Sequence, residues 1–218
     1  MLKLSANAPD DFSHLGQTIF ISPYSWWGQD TDSLSSRFNK DLPEFVYHKI
    51  SAFTSGLNLS TQSIDISVEK LDEQITAAEG ERVLVVGKSL NALGVITGDG
   101  ELVEGQNGDD YIGVTSVFRT IPYYQDVGRI NLEIEDRIPS KSARPSQIGK
   151  GLDDFWGKQA LLSVVLQRLA VHKGDWNPDE LNRLSDILVG VRNTMKVDDQ
   201  LLELTEKLLQ KIEAERRS

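Results

Sequence analysis

Residues Gly80–Ile138 read GERVLVVGKSLNALGVITGDGELVEGQNGDDYIGVTSVFRTIPYYQDVGRINLEIEDRI. Short runs rich in Val, Ile and aromatic residues alternate with Gly, Asp and Asn, the pattern of strands punctuated by turns. Strands are expected at Arg82–Gly87, Leu93–Thr97, Ile112–Phe118 and Ile130–Glu135. In the last, Ile130, Leu132 and Ile134 alternate with Asn131, Glu133 and Glu135, the period of a half-buried strand. Gly98-Asp99-Gly100 reads as a turn, and Glu104–Asp110 as a longer loop. The expected shape is a small curled mixed β-sheet or barrel, which commonly binds a ligand in its mouth.

Upstream, Thr18–Ser22 reads as a strand and the SPYSWWGQ run that follows as a loop. Leu34 and Phe38 fit a helix starting within Asp32–Lys40. Asp41-Leu42-Pro43-Glu44 is a second helix-start signal. Val46, Ile50 and Phe53 continue it with helical spacing, and Gly56 sits at a stop. Alternation of Phe45, Tyr47 and Lys49 also permits a strand there. Ser63–Leu71 reads as a strand, with Ile64, Ile66 and Val68 on one face.

Downstream, Pro139–Gly151 is a Ser/Pro/basic linker. The periodicity then becomes helical over Asp153–Lys173. Asn177-Pro178-Asp179-Glu180 reads as a capped start, with Asn177 the cap, Pro178 the first helical residue and Glu180 reaching back. Leu181, Leu184, Ile187, Leu188, Val191 and Met195 form one stripe. A third helix begins at Asp198 and carries Leu201, Leu204, Leu208 and Ile212. The fold class expected is α+β. Residues 1–150 form the body with flanking helices, and residues 151–218 form a C-terminal three-helix segment able to pack on it.

The chain has 218 residues, 39% hydrophobic and 26% charged, the balance of a globular protein. No apolar run approaches the about 18 residues of a membrane span. The first residues carry one lysine and no continuous apolar core, so no signal peptide is read. With no cysteine, a cytoplasmic location is expected. Disulfides, thiolate nucleophiles and cysteine-based metal sites are excluded.

The net charge is −10. Residues 1–80 carry 11 acids and 5 bases, so the acidity is concentrated there. Such a chain repels nucleic acid unless it holds a local basic patch. Arg137, Lys141, Arg144 and Lys150 form one, in a stretch without acids.

The tempting catalytic and metal motifs fail on spacing. Gly87-Lys88-Ser89 ends like a phosphate loop, but Arg82 stands where the first glycine is needed. Asp99, Glu101, Glu104, Asp109 and Asp110 lack the regular alternation and distal glutamate of a calcium loop. His14, His48 and His172 are far apart. No GxSxG elbow is present, and no spacing singles out a carboxylate pair. No catalytic residue, metal or cofactor is therefore expected. The aromatic residues Tyr24, Trp26, Trp27 and Tyr123 are candidate stacking surfaces for a planar ligand; filling core and rim is their ordinary role.

IFISPYSWW near the start, Gly80-Glu81-Arg82-Val83 and Gly94-Val95-Ile96-Thr97-Gly98 together resemble the motifs of PUA-like domains, in particular the EVE-type subgroup attached to modification-dependent restriction systems. The resemblance implies a pseudo-barrel that holds a modified or flipped base in an aromatic-lined pocket. Tyr24, Trp26 and Trp27 would form its walls, and Arg119, Arg137, Lys141 and Arg144 would contact phosphates. The three-helix tail lies outside that pattern. IFIS followed by a helix is also similar to the opening of TIR-type domains, whose alternating strand–helix order is not read further along.

The leading expectation is a non-catalytic module that binds DNA or RNA in a defence or RNA-processing setting. The alternative is an acidic protein-interaction, adaptor or assembly protein docking through residues 176–218. An enzyme with a dispersed carboxylate site comes third. No membrane partner is expected.

Overall fold

A computed structural model describes residues 17–28, 31–57, 66–103, 111–121, 125–134, 152–172, 175–197 and 201–217. Its strands are β1 (Thr18–Ile21), β2 (Ser25–Trp27), β3 (Ser67–Lys70), β4 (Gly94–Val103), β5 (Tyr111–Thr120) and β6 (Gln125–Ile134). The helices are α1 (Thr31–Gly56), α2 (Gly80–Ser89), α3 (Leu152–Val171), α4 (Pro178–Asn193) and α5 (Leu202–Glu215). The fold is mixed α/β. One sheet runs β3-β1-β4-β5-β6, with β2 joined to β4 beyond the end of β1. Pairs β1–β3, β1–β4 and β2–β4 are parallel, and β4–β5–β6 form an antiparallel meander. The chain therefore contains the strand–helix alternation β1-α1-β3-α2-β4 that the sequence reading misses.

That miss rests on α2. Val83-Leu84-Val85-Val86 reads as a strand by composition, yet it is the middle of a helix. Val83 and Gly87, one turn apart, are buried against the sheet, while Val85 is exposed. A Cβ on Gly87 would lie 2.6 Å from Ile121 Cγ1, so the helix needs glycine to sit this close. Both ends are built by local hydrogen bonds. Before the helix, the Thr76 backbone N–H donates to Glu79 Oε2 at 2.8 Å, as in a capping box. After it, Asn91 takes a left-handed φ of 52°. Its N–H bonds to Lys88 O and the Ala92 N–H bonds to Gly87 O, a Schellman stop with asparagine in glycine's place.

The Gly98-Asp99-Gly100 turn is likewise corrected: it lies inside β4. A Cβ at Gly98 would clash with Tyr24 Cε2 and Cζ, and one at Gly100 would lie 2.6 Å from Trp26 Cε3. The glycines let two aromatic side chains press onto the strand. The expected loop after β1 accordingly contains β2.

α1 is one helix where two starts were read, with Pro43 in its interior. The ring leaves the Asn39 carbonyl without its usual donor. Phe38, Leu42, Val46 and Ile50, spaced four apart and buried, hold both halves in line. Predicted strands shift by a few residues: β5 and β6 are longer, and β6 starts at Gln125. The Glu104–Asp110 loop, residues 63–65, Glu135 and the 139–151 linker lie outside the described residues.

α1 and α3 share one face of the sheet. Phe38, Leu42 and Val46 join Ile19, Ile21, Ile96, Phe118 and Trp156 in one core. α2 covers the other face with Val83 against Val95 and Ile121. A third cluster joins the far side of α3 to α4 and α5. The apolar stripes of the tail are thus used internally. At α4 the expected cap is present, Asn177 Oδ1 accepting from the Asp179 N–H at 2.9 Å. α5 begins at Leu202, later than the expected Asp198. Among the described residues no helix is long and apolar enough to cross a membrane.

Two outcomes test this packing. Gly98→Ala should lower unfolding free energy by about 1–3 kcal/mol through overpacking against Tyr24, measured by urea denaturation. Gly56→Ala, which meets open space, should be neutral or slightly stabilising.

The Thr76 backbone N–H and then the Arg82 guanidinium hold the Glu79 carboxyl below its usual range. A lowered folded value means stabilisation that is complete above the unfolded value and lost as pH falls through the folded one. The stability gap between wild type and Glu79→Gln should be open at neutral pH and shrink well below the ordinary glutamate pKa of about 4.3. A gap that persists unchanged in acid would contradict the electrostatic assignment.

Candidate functional site

Alternation along β2 separates the two tryptophans. Trp26 turns to the core and meets Phe38 edge-on, with ring centroids 5.0 Å apart. Trp27, one residue on, turns to the opposite face and is 63% exposed. β2 is held firmly at both ends. The Asn39 side chain of α1 accepts from the Tyr24 N–H at 2.8 Å and donates to the Tyr24 carbonyl at 3.1 Å. The amide imitates a neighbouring strand and blunts the edge. At the other end Gly28 takes a φ of 112°, and a Cβ there would sit 2.9 Å from Leu102 O. The exposed indole is therefore mounted on fixed backbone.

Trp27 pairs with Glu101 of β4, which pairs with Gly113 of β5. Gly113 is opposite Glu133 in the register of β6. Glu101 is exposed, and its Cγ and Oε1 each lie 3.2 Å from where a Gly113 Cβ would be. The carboxylate thus reaches over bare backbone beside the indole. α2 covers only the other end of this face, over Val95 and Ile121.

Tyr24 is corrected from pocket wall to core. It is fully buried, and burial pushes its phenol well above the usual range. Its hydroxyl lies 2.6 Å from Ser116 Oγ, which also accepts from Trp156 Nε1 at 3.2 Å. Arg119 is corrected from phosphate contact to internal brace. It is buried, and donates to Thr97 Oγ1 at 3.0 Å and to the Ala77 carbonyl at 2.6 Å. It fastens β5 to the turn before α2. Trp26 is partly buried on the core side, and its Nε1 is buried without a hydrogen bond among the described residues. Tyr123, Arg137, Lys141 and Arg144 lie outside the described residues.

Of the predicted site residues, Trp27 alone is described as exposed, and it is separated from Tyr24 and Trp26 by the sheet. Sequence reasoning misses Glu101 and Gly113 as its neighbours. No sequence signal marks them, because their proximity comes from pairing between strands. Gly87-Lys88-Ser89 falls at the C-terminal end of α2, the wrong end of a helix for phosphate. Among the described residues no group of three His, Asp or Glu could hold a metal ion.

No family model and no curated protein matches the chain. A solved structure, a dodecamer of a point variant of PelC from Paraburkholderia phytofirmans, is similar over 67% of this chain and 87% of that one. Its sequence identity is 15% and its TM-score 0.30, values that carry no functional argument.

Ser116→Ala should leave the Trp156 N–H and Tyr24 hydroxyl buried without their shared partner. The expected loss is about 1–3 kcal/mol for each orphaned group. A cycle with Tyr24→Phe should show coupling of about 0.5 kcal/mol or more by chemical denaturation. Additive losses would break the link between them.

Proposed function

We propose that this chain is a non-catalytic protein-interaction module whose partner docks on the outer sheet face at Trp27. The supporting observation is the exposed indole on a rigid, edge-blunted strand. Burying such a ring gives large contact area at small entropic cost, and tryptophans dominate interface hot spots. The net charge of −10 and the carboxylate beside the ring disfavour a phosphate backbone at this face. Two residues of the base-binding reading, Tyr24 and Arg119, are engaged inside the fold. Docking through the apolar stripes of the tail is disfavoured because α3, α4 and α5 bury them against one another.

A photocrosslinking amino acid should be placed at position 27 and, separately, at exposed Gln210 on α5, in cells that naturally make the protein. A protein adduct at position 27 is expected. The purified partner should then bind Trp27→Ala about tenfold or more weakly. A nucleic-acid adduct at position 27, as a PUA-like base reader would give, overturns the reading. So does an adduct confined to position 210, or none at all.

A further inference from the structure

We infer that the segment received at this face is cationic: an arginine- or lysine-bearing stretch of the partner, with one side chain over the Trp27 ring and its charge against Glu101. The inference rests on the protein-interaction reading and specifies its partner.

Charge and strand register together select a cation. Trp27, Glu101 and Gly113 form one rung across three strands. The next rung is Ser25, Asp99 and Thr115, where Asp99 is half-buried and already engaged, so the carboxylate presented beside the ring is that of Glu101. Among the described residues Glu101 forms no ion pair. The basic residue of β5, Arg119, is buried and donates to Thr97 and Ala77, toward the end of the face that α2 covers. No other lysine or arginine lies on β2, β4 or β5. The Trp27 end of the face thus offers an aromatic ring and the Glu101 carboxylate, with the Arg119 guanidinium held at Thr97 and Ala77 and Arg129 of β6 two rungs away, opposite Val117.

A guanidinium or ammonium group fits this combination. Its flat or compact cation is attracted by the indole face and forms charge-assisted hydrogen bonds to a carboxylate. Gly113 contributes by omission, since a side chain there would crowd Glu101. Strand addition at β2 is a poorer mode of recognition, because Asn39 already occupies the backbone groups of Tyr24. The partner is therefore read through its side chains.

The test follows the four indole N–H resonances of the ¹⁵N-labelled protein, with Trp27 assigned from its absence in Trp27→Phe. Acetyl-tetraarginine-amide should shift the Trp27 signal saturably and leave the other three in place. Glu101→Gln should weaken that binding about threefold or more, and about 0.5 M salt should weaken it further. No shift at Trp27, or an equal shift with acetyl-tetraglutamate-amide or oligothymidylate, overturns the inference. If Trp27→Ala impairs the crosslinked partner but Glu101→Gln does not, the cationic assignment fails while the interaction reading stands. An unaffected partner in both variants removes both.

Discussion

The hydroxyl of Ser116 is the point on which three parts of the structure converge. It stands on β5, faces the Tyr24 hydroxyl from the β1–β2 connection and accepts the Trp156 N–H from α3. Each of these polar groups is buried, so none has water to fall back on. The contact specifies how far Tyr24 must reach across β4, and that reach requires Gly98 beneath the ring. Once Tyr24 is seated, β2 continues along β4 where β1 ends, and the alternation of Trp26 and Trp27 follows. The exposed indole is thus a consequence of a buried hydrogen bond on the other side of the sheet.

Similar small polar ties assemble the remaining layers. Ser163 of α3 donates to the Gln159 carbonyl, so its contact with Thr120 of β5 uses the threonine's proton. Ser22, at the end of β1, donates to the Ile75 carbonyl and accepts from the Ile75 N–H. It thereby draws in the segment after β3. Arg119 fastens the same region from β5. Apolar burial supplies the driving force for these layers, but it is non-directional. The hydrogen bonds choose which layer meets which strand.

The legible parts of the sequence are those governed by local chemistry. Asn177-Pro178 announces α4 because capping needs only neighbouring residues. The stripes of α4 and the core of β5 are readable from periodicity alone. α2 escapes such a reading although two local signals bound it: Thr76 and Glu79 before it, and Asn91 after it. The β-branched run Val83–Val86 has the composition of a strand and masks them. Gly98 and Gly100 mislead for a different reason. A glycine that opens a turn and a glycine that admits an aromatic ring look the same in one dimension. The candidate site is legible only as the exposed-or-buried ambiguity of Trp26 and Trp27; its companions Glu101 and Gly113 are 74 and 86 residues from Trp27 along the chain.

The sequence by itself determined the class of fold, the positions of most strands and tail helices, the acidity and the lack of any cysteine chemistry. These depend on composition and on contacts a few residues apart. Tertiary structure decided the strand order, the strand–helix alternation through α2, and the burial of Tyr24 and Arg119. It also decided which tryptophan reaches the surface. Each of those outcomes depends on pairing between distant segments, where a side chain's role is set by the strand or helix that arrives opposite it.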